Sequence, residues 1–385
     1  MITTLAVEGY RSLRDVVVGL GRLTVITGAN GTGKSNLYRA IRLLADAGHG
    51  QLIGSLARSG GLDSVRWAGP EKISKGMRSG EVPVQGTVRT GPVRLRLGVA
   101  GDSFGYGIDL GLPTPAEAGV FPYDPKIKAE AIWSGPILRP AATLIDRAGP
   151  LVRMRDGRSW AELSRTLAGS ESLLTEYAGA SPEIAAVRER LRGWRCYDQL
   201  RTDPEAPARA ARIPTRTPVL GHDGGDVAAA LATIQEVGDS RLLAATIAEA
   251  FDGSSLVFGG ADLALALRQP GMLRPIGVAE LSDGTLRYLM LVAALLSPRP
   301  PELLVLNEPE VSLHPDLYPS LARLVVAAAE RSQVIIVSHA PGLVDKIIAE
   351  HADDLVRIEL IKELGETMIA GQGRFERPSW QWPSR

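Results

Sequence analysis

A glycine-rich loop that ends in lysine and serine is the feature of the sequence most suited to chemistry. Residues 28–35, GANGTGKS, match the pattern G-x-x-x-x-G-K-[ST]. Glycines let backbone N–H groups turn inward around phosphate oxygens, and a following helix adds the positive end of its dipole. Lys34 is then expected to reach the β- and γ-phosphates, and the Ser35 hydroxyl to ligate Mg²⁺. The loop therefore predicts a nucleoside triphosphate site. Its predicted binding residues are Gly28, Ala29, Asn30, Gly31, Thr32, Gly33, Lys34, Ser35 and Asn36.

The segments on either side of this loop support that interpretation. Leu23–Ile26 is an apolar run typical of a strand, and residues 36–47 carry apolar side chains at helical spacing. Strand, loop and helix in this order are the context that gives the pattern its meaning. The loop alone leaves open a small-molecule kinase, a GTPase, a helicase, a motor or an ABC-type ATPase.

Two apolar runs in the second half of the chain end in polar residues. Leu303–Leu306 predicts a buried strand followed by Asn307 and Glu308, and Val334–Val337 predicts another, followed closely by His339. At the C-terminal edge of a parallel sheet such side chains face the phosphate-binding loop. Glu308 is then expected to polarise an attacking water, and His339 to sense the γ-phosphate.

A further anion site is predicted at Leu281–Thr285, LSDGT, where a serine and a glycine open a predicted helix over 284–296. The strand–helix–strand order with wholly apolar strands indicates a parallel sheet covered on both faces.

With these motifs the chain resembles the ABC-type ATPase heads of the RecF/SMC group, and most closely the stand-alone bacterial AAA family ATPases of that group. The segments that carry the resemblance are VEGYRSL at 7–13, GANGTGKSN at 28–36, LSDGT at 281–285, NEPE and SLHP within 307–315, and SH at 338–339. The resemblance covers about residues 1–120 and 225–360. It implies an α/β P-loop NTPase of ABC/RecF type, with a mostly parallel central sheet, an antiparallel N-terminal β lobe and an inserted helical lobe.

The resemblance also implies how such a head works. ATP and Mg²⁺ would be bound between two copies of the chain, so that ATP joins the heads of an ATP-dependent homodimer and hydrolysis releases them. Ser282 and Gly284 would close over the γ-phosphate of the nucleotide held by the other copy. The implied catalytic residues are Glu308, His339 and Lys34, and the implied metal ligands are Ser35 and Asn307.

Asn307 departs from the family pattern, which has an aspartate at this position. An amide oxygen can still coordinate Mg²⁺ but brings no charge, so we expect weaker metal binding and slow turnover. Glu308 is retained, which favours an active ATPase. The glutamine of the family's Q-loop is not fixed by spacing, and Gln85 is the residue suggested for it.

Three regions are expected along the chain. Residues 1–120 would form the first part of the ATPase head, with the P-loop and a β lobe, and 226–385 the second part. Residues 121–225, rich in Pro, Arg and Trp, would form an inserted, irregular helical lobe. Residues 48–82, rich in Gly and Ser, are expected to be loops around one short segment.

Composition excludes several classes of protein. Lys+Arg and Asp+Glu both number 43 among 385 residues, so the chain is neither histone-like nor an acidic disordered protein. The one cysteine, Cys196, excludes a disulfide framework. The N-terminus does not resemble a signal peptide and the longest apolar run is too short for a membrane span. A cytoplasmic protein without a membrane partner is expected.

Two roles for the ATPase remain open. The first is action on DNA in repair or phage defence, because residues 188–216 contain eight arginines and four acidic residues, with Trp194 and Tyr197 between them for base stacking. The second is a regulatory protein whose ATP-gated dimer holds a partner effector protein without DNA. The sequence itself does not choose between them.

Overall fold

The computed structural model of the chain describes residues 1–88, 91–114, 120–163, 166–198, 200–210, 213–260, 263–351, 354–373 and 376–385. The strands are β1 (Ile2–Tyr10), β2 (Leu13–Gly19), β3 (Leu23–Gly28), β4 (Leu95–Gly101), β5 (Phe104–Gly111), β6 (Lys126–Ser134), β7 (Thr143–Ala148), β8 (Leu151–Asp156), β9 (Ser159–Glu162), β10 (Arg195–Tyr197), β11 (Ser255–Gly259), β12 (Ala264–Arg268), β13 (Ile276–Gly277), β14 (Leu303–Asn307), β15 (Gln333–Val337), β16 (Leu355–Glu363) and β17 (Glu366–Ile369).

The helices are α1 (Lys34–Gly48), α2 (Leu52–Arg58), α3 (Gly61–Val65), α4 (Lys75–Ser79), α5 (Leu173–Glu176), α6 (Pro182–Gly193), α7 (Val227–Val237), α8 (Ser240–Ala250), α9 (Asp283–Leu295), α10 (Tyr318–Ala329) and α11 (Pro341–Glu350). Short 3₁₀ turns lie at Pro207–Arg209, Val278–Glu280 and Pro315–Leu317. No helix of the described residues is both long and apolar enough to cross a membrane.

The chain divides into two compact units. Unit 1 comprises Met1–Gly21, Thr27–Gly193 and Ile358–Arg385, and unit 2 comprises Arg22–Ile26 and Trp194–Arg357. The three regions predicted from composition, with boundaries at 120 and 225, stay a prediction.

Unit 1 is built on an antiparallel sheet with the strand order β2-β1-β4-β5-β6-β7-β8-β9. Helix α1 packs on β1 and β4 through the predicted apolar face, since Leu37, Ala40, Ile41 and Leu44 are all buried. The sheet confirms the predicted antiparallel N-terminal β lobe. Near the C-terminus, β16 and β17 form an antiparallel hairpin.

Two stretches of unit 1 differ from the sequence expectation. Residues 126–162, expected to be irregular and helical, form strands β6 to β9, and helices occur in that region only later, at α5 and α6, among the described residues. Alternating side chains such as those of Lys126–Ser134 fit a strand, and composition conceals that alternation. Residues 48–82, expected to be loops, contain the short helices α2, α3 and α4, which bury Leu52, Leu56 and Leu62.

Unit 2 contains the predicted parallel sheet, in the order β10-β14-β15-β3 for the strand residues that belong to it. One continuous apolar core surrounds this sheet and includes residues of α7 to α11. The apolar runs Leu303–Leu306 of β14 and Val334–Val337 of β15 are buried because helices cover the sheet, as their sequences predict. A smaller sheet, β11-β12-β13, completes unit 2.

A buried charge network joins several strands of unit 1. Glu130 and Arg147 are both inaccessible to solvent and form an ion pair at 2.8 Å. Glu130 also accepts hydrogen bonds from the Tyr106 hydroxyl at 2.9 Å, the Ser172 hydroxyl at 2.7 Å and the Leu173 amide at 3.0 Å. Burial, followed by the charge of Glu130, raises the pKa of Tyr106 well above its ordinary value.

Arg147→Met is expected to lower the free energy of unfolding by about 3–5 kcal/mol, because the buried carboxylate of Glu130 would lose its ion-pair partner. Urea unfolding of the two proteins measures the difference. The matched control is Arg158→Met, at an exposed turn, which should change stability by less than about 0.5 kcal/mol. Equal losses in the two variants would contradict this role for the pair.

Candidate functional site

The phosphate-binding loop in unit 1 begins where β3 ends and continues into α1. Gly33 is the N-cap residue of α1 and has a φ of 109°, a left-handed conformation that favours glycine. Lys34 is buried, and its ammonium donates to the carbonyls of Gly28 at 2.6 Å and Ala29 at 3.1 Å. The Thr32 hydroxyl also donates to the Ala29 carbonyl, at 2.8 Å. Lys34 is thus held against the loop that is predicted to bind the phosphates of the nucleotide.

The hydroxyl groups of Ser12 and Thr367, which are far apart in the sequence, hold this loop in place. The Thr367 hydroxyl donates to the Thr32 carbonyl at 2.6 Å and lies 2.7 Å from the Ser12 hydroxyl. The Asn36 side chain donates to Ser12 Oγ at 2.8 Å. A side chain at Gly33 would collide with the Thr367 and Ser12 hydroxyls. Ser12 and Thr367 therefore position the loop, a role that sequence reasoning missed because their partners are far away in the chain.

Register in the parallel sheet of unit 2 brings the predicted strand ends to one level. Asn307 pairs with Val337, and Val337 pairs with Ile26. The Glu308 amide donates to the Val337 carbonyl at 2.7 Å, and the Ser338 amide donates to the Ile26 carbonyl at 3.0 Å. The polar residues that follow β14 and β15 are therefore neighbours, as the sequence predicts.

Asn307 and Glu308 have unusual surroundings. Asn307 Oδ1 is buried and has no hydrogen-bond partner among the residues that the structure describes. Glu308 has a φ of 50°, a conformation that costs energy for a residue with a side chain. The Glu308 carbonyl accepts a hydrogen bond from Arg287 Nη2 at 3.0 Å. An orphaned oxygen and a strained glutamate at one strand end are typical of a functional site.

Glu310 organises this site, although no role was predicted for it. Its carboxylate is buried and accepts hydrogen bonds from the Ser338 hydroxyl at 2.8 Å and the His339 amide at 3.0 Å. The imidazole Nδ1 of His339 lies 3.2 Å from Glu310 and 3.7 Å from Glu308. The two glutamates and His339 thus form one cluster, in which Glu308 and His339 remain partly exposed.

Arg287 links α9, the helix that begins in the LSDGT segment, to this cluster. It is largely buried and donates to the carbonyl of Leu200 at 3.1 Å as well as to that of Glu308. Burial lowers the pKa of Arg287, and the charges of Glu310, Glu308 and Asp198 oppose that change.

The LSDGT segment, residues 281–285, is held by other groups of unit 2. Ser282 caps α9, accepting a hydrogen bond from the Thr285 amide at 3.2 Å. A β-carbon at Gly284 would lie 2.6 Å from the Ser312 carbonyl, so a side chain does not fit there. Arg209 donates to the carbonyl of Leu281 at 2.9 Å and to the carboxylate of Asp283 at 2.9 Å.

The two aromatic residues of the arginine-rich stretch 188–216 do not lie at the surface. Trp194 and Tyr197 are buried at 1% and 2% exposure, and the Tyr197 hydroxyl donates to the Leu220 carbonyl, so their proposed stacking role is wrong. Arg201 and Arg216 form ion pairs with nearby acidic residues. Arg212 lies outside the described residues.

Gln85 lies on an exposed loop of unit 1. It lines a cavity with Trp67, Pro70 and other residues of 63–87, and none of the P-loop residues lines that cavity. Its assignment to the Q-loop stays a prediction.

Comparison with known proteins identifies the family and the fold. A family model described as "AAA domain, putative AbiEii toxin, Type IV TA system" matches residues 23–119 and 156–345. No curated protein matches the sequence significantly. A solved Smc head domain with an extended coiled coil, bound to the C-terminal domain of ScpA and derived from Pyrococcus furiosus, is similar at a TM-score of 0.50, with 12% identity over 96% of this chain and 95% of that one. An SMC head domain from Thermotoga maritima has a TM-score of 0.45 and 16% identity, over 96% and 98% of the two chains. The fold is that of an SMC head-like P-loop ATPase.

Glu310→Ala is expected to lower the free energy of unfolding by about 1–3 kcal/mol, because the buried Ser338 hydroxyl and His339 amide lose their acceptor. Amide hydrogen exchange should become faster at residues 338–340. Glu330→Ala, at an exposed position, is the control. Unchanged exchange at these amides in the Glu310 variant would show that Glu310 does not hold the loop.

Proposed function

Because the chain belongs to the AAA domain family whose model it matches over most of its length, we propose that it is an ATP-hydrolysing switch of RecF/SMC type. In this proposal two copies join around bound ATP, hydrolysis separates them, and the cycle acts on DNA in repair or phage defence. Of this proposal, ATPase activity of the SMC/AAA type is the component that both the family match and the fold support.

The register of the parallel strands is the observation that carries this proposal. Ile26, Val337 and Asn307 lie at one level in unit 2, and the chain passes from Ile26 directly through Thr27 into the P-loop. The ends of parallel strands are where α/β proteins bind ligands. In this proposal, as the resemblance to the RecF/SMC group implies, the P-loop, Glu308 and His339 act on the same nucleotide.

Each group then has a distinct task. Lys34 exchanges its bonds with the loop carbonyls for the β- and γ-phosphate oxygens. Glu308 orients and polarises the attacking water, and His339 contacts the γ-phosphate. Ser282 and Gly284 of a second copy cover that phosphate, so the site is complete only in a dimer. Requiring a second copy couples hydrolysis to assembly.

The residues proposed to hold Mg²⁺ fit a hard cation. Asn307 offers a buried oxygen without a hydrogen-bond partner among the described residues, and Ser35 offers a hydroxyl. Mg²⁺ prefers oxygen ligands and is commonly held by few protein groups together with phosphates. When bound, the cation would neutralise charge on the β- and γ-phosphates. Asn307 supplies no charge of its own, which supports the expectation of weaker metal binding.

DNA as the substrate is supported by the resemblance to the RecF/SMC group. A partner effector protein is the alternative, and it has support from the ScpA domain bound to the solved Smc head. ATP hydrolysis that DNA does not change, together with a protein that stays bound through purification, would favour the partner.

Glu308→Gln is expected to lower the rate of ATP hydrolysis by at least about 100-fold, because the water loses its polarising carboxylate. ATP binding should persist, so the variant should accumulate as a dimer. Measuring ATP turnover beside mass in solution tests both points, since dimers have twice the 41.0 kDa mass of the chain. Glu236→Gln, at an exposed helix position, is the control. Equal hydrolysis by wild type and Glu308→Gln would remove this role, and a monomer with ATP bound would remove the dimer.

Asn307→Asp is expected to tighten Mg²⁺ binding by roughly tenfold, equivalent to about 1.4 kcal/mol, because the new carboxylate attracts the cation. A titration of Mg²⁺ in the presence of a non-hydrolysable ATP analogue, followed by thermal unfolding, measures this without hydrolysis. Gln235→Glu adds the same charge at an exposed site and should have no effect. Unaltered Mg²⁺ dependence in Asn307→Asp would exclude residue 307 from the metal site.

A further inference from the structure

A cavity of about 480 Å³ lies at the β7–β9 end of the antiparallel sheet in unit 1. Three arginines and one aspartate give its lining a net charge of +2, and two indole rings contribute flat apolar surface. The charged and aromatic side chains of the lining are Arg139, Asp146, Arg153, Arg155, Trp160 and Trp382. None of the nucleotide-site residues discussed above takes part.

Strand pairing builds the arginine–tryptophan wall of this cavity. Arg155 lies opposite Trp160 in the β8–β9 ladder, and Arg153, two residues before Arg155, is on the same face of the sheet. The guanidinium carbons of Arg155 and Arg153 lie 4.5 Å and 5.3 Å from the centre of the Trp160 ring. Arg155 is held in place by its hydrogen bond to the Pro140 carbonyl at 2.6 Å. Trp160 is only half-buried, so part of its ring is open to a ligand.

The facing wall is supplied by the C-terminal segment. Trp382 packs edge-on against Trp380 at 5.3 Å between ring centres, and Trp380 packs in turn on Trp133. The last residue, Arg385, donates to the buried carboxylate of Asp109 at 2.7 Å and 2.8 Å. These contacts hold the segment on the sheet, so Trp382 is a preformed part of the cavity.

We propose that this cavity binds single-stranded nucleic acid, taking a base against the indole rings and the adjoining phosphate on the arginines. Bases stack on tryptophan whatever their sequence, and guanidinium groups pair with phosphate oxygens. A duplex keeps its bases stacked inside, whereas a single strand can turn one into a cavity of this volume. The inference rests on the DNA arm of the proposed function and gives it a site, different from residues 188–216.

The test is fluorescence anisotropy with labelled oligo-dT and oligo-U of about 20 nucleotides, and with a duplex of the same length. Trp160→Ala is expected to weaken single-strand binding at least about fivefold, since stacking of one base is lost. Arg155→Ala should lower the slope of log affinity against log salt by about 0.7, the value for one phosphate contact to a single strand. Trp160→Phe and Arg155→Lys should retain most of the binding. The matched controls are Arg192→Ala and Arg216→Ala, exposed arginines of the 188–216 stretch.

Several results would overturn the proposal. The proposal is wrong if the protein binds duplex and single strand equally, or if Trp160→Ala is folded and binds the single strand as the wild type does. It is also wrong if only the control variants lose oligonucleotide binding. A glutamate-rich peptide that binds as tightly as the oligonucleotides, with an equal dependence on Trp160, would contradict it as well. Circular dichroism establishes that each variant is folded. Comparing oligo-dT with oligo-U decides between DNA and RNA as the source. ATP hydrolysis without nucleic acid, measured in the same proteins, separates the two failures. A wild-type protein that hydrolyses ATP but does not bind the oligonucleotides rejects this site alone, whereas a wild-type protein without ATPase activity rejects the proposed function.

Discussion

Parallel pairing of β14, β15 and β3 determines the position of the candidate site residues that follow β14 and β15 in unit 2. Because Asn307, Val337 and Ile26 share one level, the segments after these strands leave the sheet from the same edge. The first amide after each of β14 and β15 is then bound by a carbonyl of the neighbouring strand, so Glu308 and Ser338 are fixed by backbone hydrogen bonds. A shift of one residue in this register would send each side chain to the opposite face of the sheet. The cluster at Glu308 and His339 depends on that register.

Buried charges hold the loops that leave this edge. Glu310 accepts hydrogen bonds from the residues after β15, Arg287 donates to the carbonyl of Glu308, and Arg209 donates to the segment before α9. Glu310 Oε1 accepts hydrogen bonds from the Ser338 hydroxyl and the His339 amide, whereas Glu310 Oε2 and Arg287 Nε are buried without a hydrogen-bond partner among the described residues. These bonds therefore offset only part of the cost of burying the charges. These hydrogen bonds act together with the apolar packing of Leu281 and Leu313 in the core, and they leave Glu308 and His339 partly exposed for a ligand.

Much of the architecture could be predicted because it depends on local pattern. The P-loop, helix α1 and strands β14 and β15 were predicted from apolar spacing and glycine positions, and the structure has them within two residues of the expected bounds. Residues 126–162 were not predicted correctly, because proline, arginine and tryptophan content says little about strands that pair in a large sheet. The burial of Trp194 and Tyr197 was also missed, since an aromatic residue beside arginines has the same sequence signature in a core and on a surface.

The sequence by itself determined the class of ATPase, because the phosphate-binding residues are contiguous and the LSDGT and strand-end motifs are short and local. The tertiary structure alone decided which residues support them. Ser12 and Thr367 are 355 positions apart, yet their hydroxyls meet at 2.7 Å behind the P-loop. The cavity between Trp160 and Trp382 likewise exists only because strand pairing and the C-terminal segment bring distant residues together. Contacts between residues so far apart in the chain cannot be predicted from a single sequence, since the local pattern around each residue does not indicate which distant residue it contacts.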